Sequence, residues 1–243
     1  MNFLLGGRMG DLIHMLWVCK NAPHGPHDLY ITDRRDLHSD GFMLSVDETI
    51  NELWPILKQQ DYIGEIRNFA NTTRVLTVCN EDKYDLINNR PADNEIVNLN
   101  MWRRFAYSTH WVQLLSNTFG LPVNGEAWIN VPKEDVPKMT IIHCSDKEAR
   151  RGNWSTVEFG IAIFIGTNSE YEFFGKDMNY CQPKDLYSMF QFINNAYLFI
   201  GNQSLPLAIA HALGVNRIAV LNPIDAAAYV GEETVYSNFK YVL

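Results

Sequence analysis

Asp11 is the first residue whose type and setting suggest chemistry. It follows a short apolar run, Met1–Leu5, and the segment Gly6-Gly7-Arg8-Met9-Gly10. A helix is expected to begin beside it, because Leu12, Met15, Leu16 and Cys19 recur at helical spacing. A carboxylate is a proton acceptor, and the positive end of a helix is a favourable place for its negative charge. It can therefore accept a proton from an attacking hydroxyl. The plainer role for the same residue is a helix N-cap. The glycines fall as GGxxG, which is not the dinucleotide fingerprint GxGxxG. Arg8 suits a phosphate contact or a turn. His14, one helical turn after Asp11, suits orienting that carboxylate or an acceptor, or a packed ring.

The second chemical stretch runs from Phe199 to Pro223. An apolar run, Tyr197–Ile200, stops at Gly201-Asn202-Gln203; a helix is expected from Ser204 to Gly214, and a further strand at Ile218–Leu221. Ser204 suits the cap, Pro206 the first turn, and Gly214 the left-handed stop. A helix start after a parallel strand presents unpaired N–H groups and partial positive charge, which suits a diphosphate. An ordinary βαβ turn without a ligand fits the same pattern. A third stretch, Met101–Trp111, interleaves aromatic and basic side chains, among them Trp102, Arg103 and His110. Such residues stack on sugar faces or on extruded bases, and equally form a helix that covers a sheet.

The elements that must hold these residues read as alternating strands and helices. Strands are expected at Met1–Leu5, Asp28–Thr32, Val75–Val78, Glu95–Leu99, Met139–His143, Ile161–Ile165, Tyr197–Ile200 and Ile218–Leu221. Ser45-Val46-Asp47-Glu48 is a capping-box pattern opening a helix that Pro55 should kink or interrupt. A helix over Phe105–Phe119 stops at Gly120-Leu121-Pro122, and Leu186, Phe190 and Ile193 mark the face of another. Strand–helix alternation implies parallel sheets covered on both faces. Val131–Pro137, proline-bounded and charged, reads as a linker, which gives domains of residues 1–135 and 136–243.

Composition bounds the class. The chain has 243 residues, 47% hydrophobic, and a formal net charge of −8. Up to Asp135 there are 12 basic against 18 acidic residues, and beyond it 8 against 10. Neither half is a polycation, so sequence-blind nucleic-acid binding is not expected. No apolar run approaches the ~20 residues of a membrane span, and no secretory signal pattern opens the chain. Four cysteines without a CxxC pair read as free thiols, with the cytoplasm as the expected compartment. No Asp-x-Asp motif occurs, and His24 and His27 lack partners at metal-ligand spacing, so no metal and no other cofactor is expected.

Arg8–His14 resembles the amino-terminal signature of the family 9 glycosyltransferases, whose best-known members are lipopolysaccharide heptosyltransferases. Phe199–Pro223 resembles that family's donor loop and helix. Met139–Ser145 followed by Lys147, Arg150, Arg151 and Trp154 is similar to its strand, basic residue and tryptophan. Ile161–Gly166 with Glu170 is similar to its next strand and acidic residue. The order of the pieces matches the family. The chain departs from it where Gln203, Leu205 and Ala208 stand in place of Asp, Gly and His. Leu205 restricts backbone approach to a phosphate, and Ala208 lacks a donor.

The resemblance implies an α/β chain of the GT-B type, two Rossmann-like doubly wound parallel-sheet domains facing a cleft. It implies an inverting, metal-independent transferase moving a sugar from a nucleotide-sugar to an acceptor hydroxyl. Asp11 would be the base. Lys147, Arg150, Arg151, Glu170, Asn202, Gln203, Ser204 and Leu205 would contact the donor, with Glu170 on the ribose. Arg8, His14, Trp102, Arg103 and His110 would face the acceptor. A glycan or lipid-linked saccharide is the first acceptor expected, a hydroxymethylated base of viral DNA the second. A nucleotide-sugar-binding protein without turnover is the third reading, suggested by the altered loop.

Overall fold

The apolar start of the chain forms β1 (Asn2–Gly6), and Phe3, Leu4 and Leu5 are fully buried in it. In this computed structural model the residues described are 1–34, 44–69, 74–76, 84–100, 110–125, 127–134, 138–146, 154 and 160–220. The chain divides into two compact units, Met1–Ile129 and Asn130–Leu243. Val131, in the proline-bounded segment, is already buried in the second unit and accepts a hydrogen bond from Asn194 Nδ2 at 2.6 Å.

In the first unit, β1 is followed by α1 (Met9–Asn21), β2 (His27–Thr32), α2 (Val46–Leu57), β3 (Ile63–Asn68), β4 (Arg74–Leu76), β5 (Glu95–Asn98) and α3 (Trp111–Phe119). The strands form one parallel sheet in the order β3-β2-β1-β5-β4. Leu4 lies opposite Tyr30 on one side and Asn98 on the other. The second unit contains β6 (Met139–His143), β7 (Ala162–Ile165), α4 (Asn168–Phe174), β8 (Asn179–Cys181), α5 (Leu186–Asn194), β9 (Ala196–Gly201), α6 (Leu205–Ala212) and β10 (Arg217–Ala219). Its parallel sheet runs β10-β9-β6-β7-β8. In both sheets the first strand is central and the chain direction of the strand order reverses there. Such a switch point opens a crevice at the strands' carboxyl ends, the usual ligand position in open α/β sheets.

Local chemistry explains the helices. Glu48 N donates to Ser45 Oγ at 3.2 Å and Ser45 N to Glu48 Oε2 at 2.8 Å, so the capping box that opens α2 is complete. Pro55 sits inside α2 without interrupting it. It lies in the final turn, where a proline removes only one late hydrogen bond and the helix ends soon after. The sequence also proposed Asp11 as the cap of α1. The cap is Arg8, whose carbonyl accepts from Asp11 N at 2.9 Å and Leu12 N at 3.1 Å, and Asp11 falls in the first turn. Ser204 occupies the N-cap position of α6, but its hydroxyl donates back to Asn202 O at 3.0 Å and makes no capping bond.

Helix α3 starts at Trp111, after His110 accepts from Val112 N through Nδ1 at 3.3 Å; the part of the expected helix before residue 110 lies outside the described residues. It ends at Gly120 with φ +67°, where an added Cβ would stand 3.0 Å from Asp85 Cα. Gly120→Ala is therefore expected to cost about 1–2 kcal/mol from the left-handed conformation alone. Its urea unfolding midpoint should fall with an unchanged slope.

The core of the second unit gathers Ile142, Cys144, Ala162, Phe164, Ile200 and Val220, with Tyr171, Phe174 and Trp154 packed against them. Trp154 meets Phe174 edge-on at 5.1 Å. Cys19 and Cys144 are buried free thiols and Cys181 is a half-buried one, so their role among the described residues is packing. No described helix is long and apolar enough to cross a membrane.

Candidate active site

Two of the residues predicted for the site of the first unit, Arg8 and Asp11, follow directly on the carboxyl end of β1. Gly7 turns the chain at φ +96°, and an added Cβ there would meet only Asp11 Oδ2, at 3.9 Å. The carboxylate of Asp11 thus faces the glycine turn between β1 and α1, and the side chain is half-buried. Just past the end of the neighbouring strand β5, Asn100 Oδ1 accepts from Gly6 N at 2.7 Å, while Asn100 N and Nδ2 donate to Asn98 Oδ1 at 3.0 and 2.9 Å. These buried amides fix the turn that carries Asp11. Neither asparagine was singled out in the sequence. The signal present was a pair of amides, Asn98 at the end of the strand Glu95–Asn98 and Asn100 just past it.

His14 is buried at 2% exposure, with Nδ1–H donating to Gly10 O at 2.9 Å. Its ring stacks on Trp111 at 4.4 Å and 6° between planes. Trp128 Nε1 donates to Ile13 O at 2.8 Å beside it. The imidazole holds α1 against α3. Arg8 is exposed at the start of α1. His110 is buried as the cap of α3. Trp102 and Arg103 lie outside the described residues.

At the second switch point, between β6 and β9, Asn202 clamps the two strand ends together. Its Oδ1 accepts from Ser145 N at 2.9 Å and its Nδ2 donates to Ser145 O at 3.2 Å, and Asn202 is fully buried. The clamp sets the loop Gly201–Ser204 at the start of α6. The first N–H groups of a helix have no partner within it, and Pro206 contributes none, so Leu205 and Leu207 supply the donors at this end. With the Ser204 hydroxyl turned back to Asn202 O, no side-chain cap covers them. Gln203 Oε1 is buried and has no hydrogen-bond partner among the described residues. Lys147, Arg150 and Arg151 lie outside the described residues, on the segment that follows Asp146.

Glu170 stands in the first turn of α4, after β7. Its Oε2 accepts from Thr167 N at 2.8 Å and Thr167 Oγ1 at 3.0 Å, and its Oε1 lies 3.7 Å from His143 Nε2. His143, the last residue of β6, is buried, and its Nδ1–H donates to Ile165 O at 3.0 Å. Burial holds the imidazole pKa below its ordinary value, against the opposing pull of the Glu170 and Asp146 carboxylates. Gly166, with φ +155°, makes room for this pair: an added Cβ would lie 2.9 Å from Glu170 Oε2 and 3.2 Å from His143 Nδ1. His143 and Gly166 were missed as site residues, because a histidine ending an apolar run gives no local signal of what it faces.

The unit also holds a cavity of about 320 Å³ between β6, β7 and α5. It is lined by Met139, Ile141, Ile163 and Phe192 beside the polar Ser188 and Gln191, and lies along the amino-terminal half of β6 rather than at the strand carboxyl ends.

No protein-family model matches the sequence, and no curated protein matches it. Solved structures do. The chain is similar to a glycosyl transferase of family 9 from Veillonella parvula, with a TM-score of 0.58 and 12% identity over 100% of this chain and 87% of that one. It is similar to the ADP-heptose LPS heptosyltransferase II of E. coli, with a TM-score of 0.53 and 10% identity over 100% and 90%. An E. coli heptosyltransferase with ADP-2-deoxy-2-fluoro heptose gives a TM-score of 0.51 and 12% identity over 99% and 92%. The two parallel sheets and their flanking helices are thus the α/β fold of the GT-B glycosyltransferases, and the solved structures of family 9 share it.

Proposed function

We propose that this chain is a glycosyltransferase that moves a sugar from a nucleotide-sugar to an acceptor hydroxyl by direct displacement. One observation carries the reading. Residues from separate parts of the sequence, Asp11, Glu170 and Asn202–Leu205, all fall at strand carboxyl ends, Asp11 and Asn202–Leu205 beside the switch point of their own sheet and Glu170 one strand from it. Ligands of open α/β sheets occupy such places.

In this reading the first unit supplies the acceptor side and the second binds the donor. The acceptor oxygen bonds to the anomeric carbon as the bond from that carbon to the diphosphate oxygen breaks, which inverts the anomeric centre. Asp11 takes the hydroxyl proton. The departing diphosphate carries the electron pair, and its charge is met by the N–H groups at the start of α6 and by Lys147, Arg150 or Arg151. Glu170 accepts hydrogen bonds from the nucleotide ribose. A saccharide acceptor is favoured by the acidic balance of the chain.

A screen of nucleotide-sugars by calorimetry, followed by a transfer assay with saccharide and hydroxymethylated-DNA acceptors, tests this reading. Binding of one donor class with release of its nucleoside diphosphate supports it; failure of every nucleotide-sugar to bind contradicts it. Turnover is expected to be unchanged by a chelator, because cationic side chains would take the part of a metal at the leaving group. Activity that vanishes with chelator and returns with Mg²⁺ or Mn²⁺ would refute that part of the mechanism.

A further inference from the structure

Helix α5 carries two stripes of different chemistry. Leu186, Phe190 and Ile193 are buried. Ser188, Gln191, Phe192 and Asn195 recur at i, i+3, i+4 and i+7, so they share another side, and all four line the cavity along the amino-terminal half of β6. The sheet supplies the rest of the wall. Met139 and Ile141 alternate onto one face of β6, and Ile163 of β7 pairs with Ile141. With Phe192 they give an apolar lining to about 320 Å³, at the small end of the range for ligand pockets.

The polar lining is tied into one cluster by Glu134, which precedes β6. Glu134 N donates to Asn195 Oδ1 at 3.2 Å, and Glu134 Oε1 accepts from Gln191 Nε2 at 2.6 Å. Asn195 Nδ2 donates to Gln191 O at 3.0 Å, and the Ser188 hydroxyl donates to Asp185 Oδ1 at 2.6 Å. A carboxylate only accepts, so the Glu134 contact fixes which end of the Gln191 amide faces it. Gln191 Oε1 and Glu134 Oε2 are then left without a partner among the described residues. Glu134 is the one acidic or basic residue of the lining.

We infer that this cavity binds a small organic cation with an apolar body, an alkylamine or arylalkylamine. The apolar walls favour a body that leaves water on binding. An ammonium head brings three N–H donors and a positive charge to two unpartnered acceptors, one of them a carboxylate, and charge-assisted hydrogen bonds are the strong ones. An alcohol of the same shape meets the same walls but leaves the carboxylate without a counter-charge. A carboxylic acid brings a like charge. The site is separate from the one proposed for the donor, which lies at the carboxyl ends of the same sheet.

The test uses the full chain with isotopically labelled Met and Ile methyl groups, titrated with hexylamine, phenethylamine and tryptamine and with the matching alcohols 1-hexanol, 2-phenylethanol and tryptophol. At least one amine should shift the methyl resonances of Met139, Ile141 and Ile163 in a saturable way, with a Kd of about millimolar or below, as suits ligands of this size. Its alcohol should bind about tenfold more weakly or worse, the worth of a hydrogen bond to a charged group. Glu134→Gln keeps an acceptor for Gln191 Nε2 and removes the charge, and the residue is exposed, so the fold should be unaffected. In that variant the amine should fall to the affinity of its alcohol, while the alcohol stays within about twofold of its wild-type value. The inference is overturned by any of three results: no saturable shift of these methyl groups with any amine, equal binding of amine and alcohol to the wild-type chain, or amine binding that Glu134→Gln leaves unchanged.

Discussion

Asp11→Asn is expected to lower turnover by roughly 10²–10⁴, the usual worth of a positioned general base, while donor affinity stays within about twofold because the donor contacts lie in the other unit. The fold should hardly notice. Asp11 does not cap α1, and the first-turn charge that the substitution removes from the helix is worth about 0.3–1 kcal/mol. For a chain of this size that is a fall in Tm of roughly 1–4 °C. Asn keeps the shape and hydrogen-bonding oxygen of the side chain but cannot hold the acceptor proton. A purified variant with wild-type turnover on the true acceptor would show that Asp11 serves only the helix.

Asn202→Ala should have the largest effect on stability of any single change at the donor loop. The side chain makes two hydrogen bonds to Ser145, and both partners are buried. Its loss strands one backbone N–H and one C=O, each at a cost of about 1–3 kcal/mol. Part of that is recovered if water enters the space, so a net loss of about 2–4 kcal/mol is expected by chemical denaturation. The strand ends at the switch point are no longer held in register, and the α6 donors lose their fixed aim. Nucleoside diphosphate affinity should therefore fall by roughly tenfold or more. A stable variant with unaltered affinity would place the diphosphate elsewhere.

How much of this was legible in the sequence depended on whether the signal was local. The capping box at Ser45–Glu48 and the strand Met139–His143 emerged as written, because each is set by neighbours in the chain. The edge strands β3 and β8 were missed: Ile63–Asn68 is mostly polar and Asn179–Cys181 is short, as befits strands paired on one side only. The start of α1 was placed too late. Gly7 turns the chain early through its positive φ, and Arg8 takes the cap position without a side-chain bond. Asn202 was named as a donor contact, yet its amide is spent on Ser145, a partner 57 residues away. The same distance problem hid Asn98, Asn100 and His143, whose meaning comes from the strand beside them.

Backbone NMR of the isotopically labelled chain during titration with nucleotide-sugars tests the central claim most directly. The account predicts that one nucleotide class shifts the amide resonances of Gly166, Glu170, Ser204, Leu205 and Leu207 in a saturable way, with Leu205 and Leu207 moving most, as N–H groups that gain a phosphate acceptor. Saturable shifts confined to other residues, or none with any nucleotide-sugar, would contradict it.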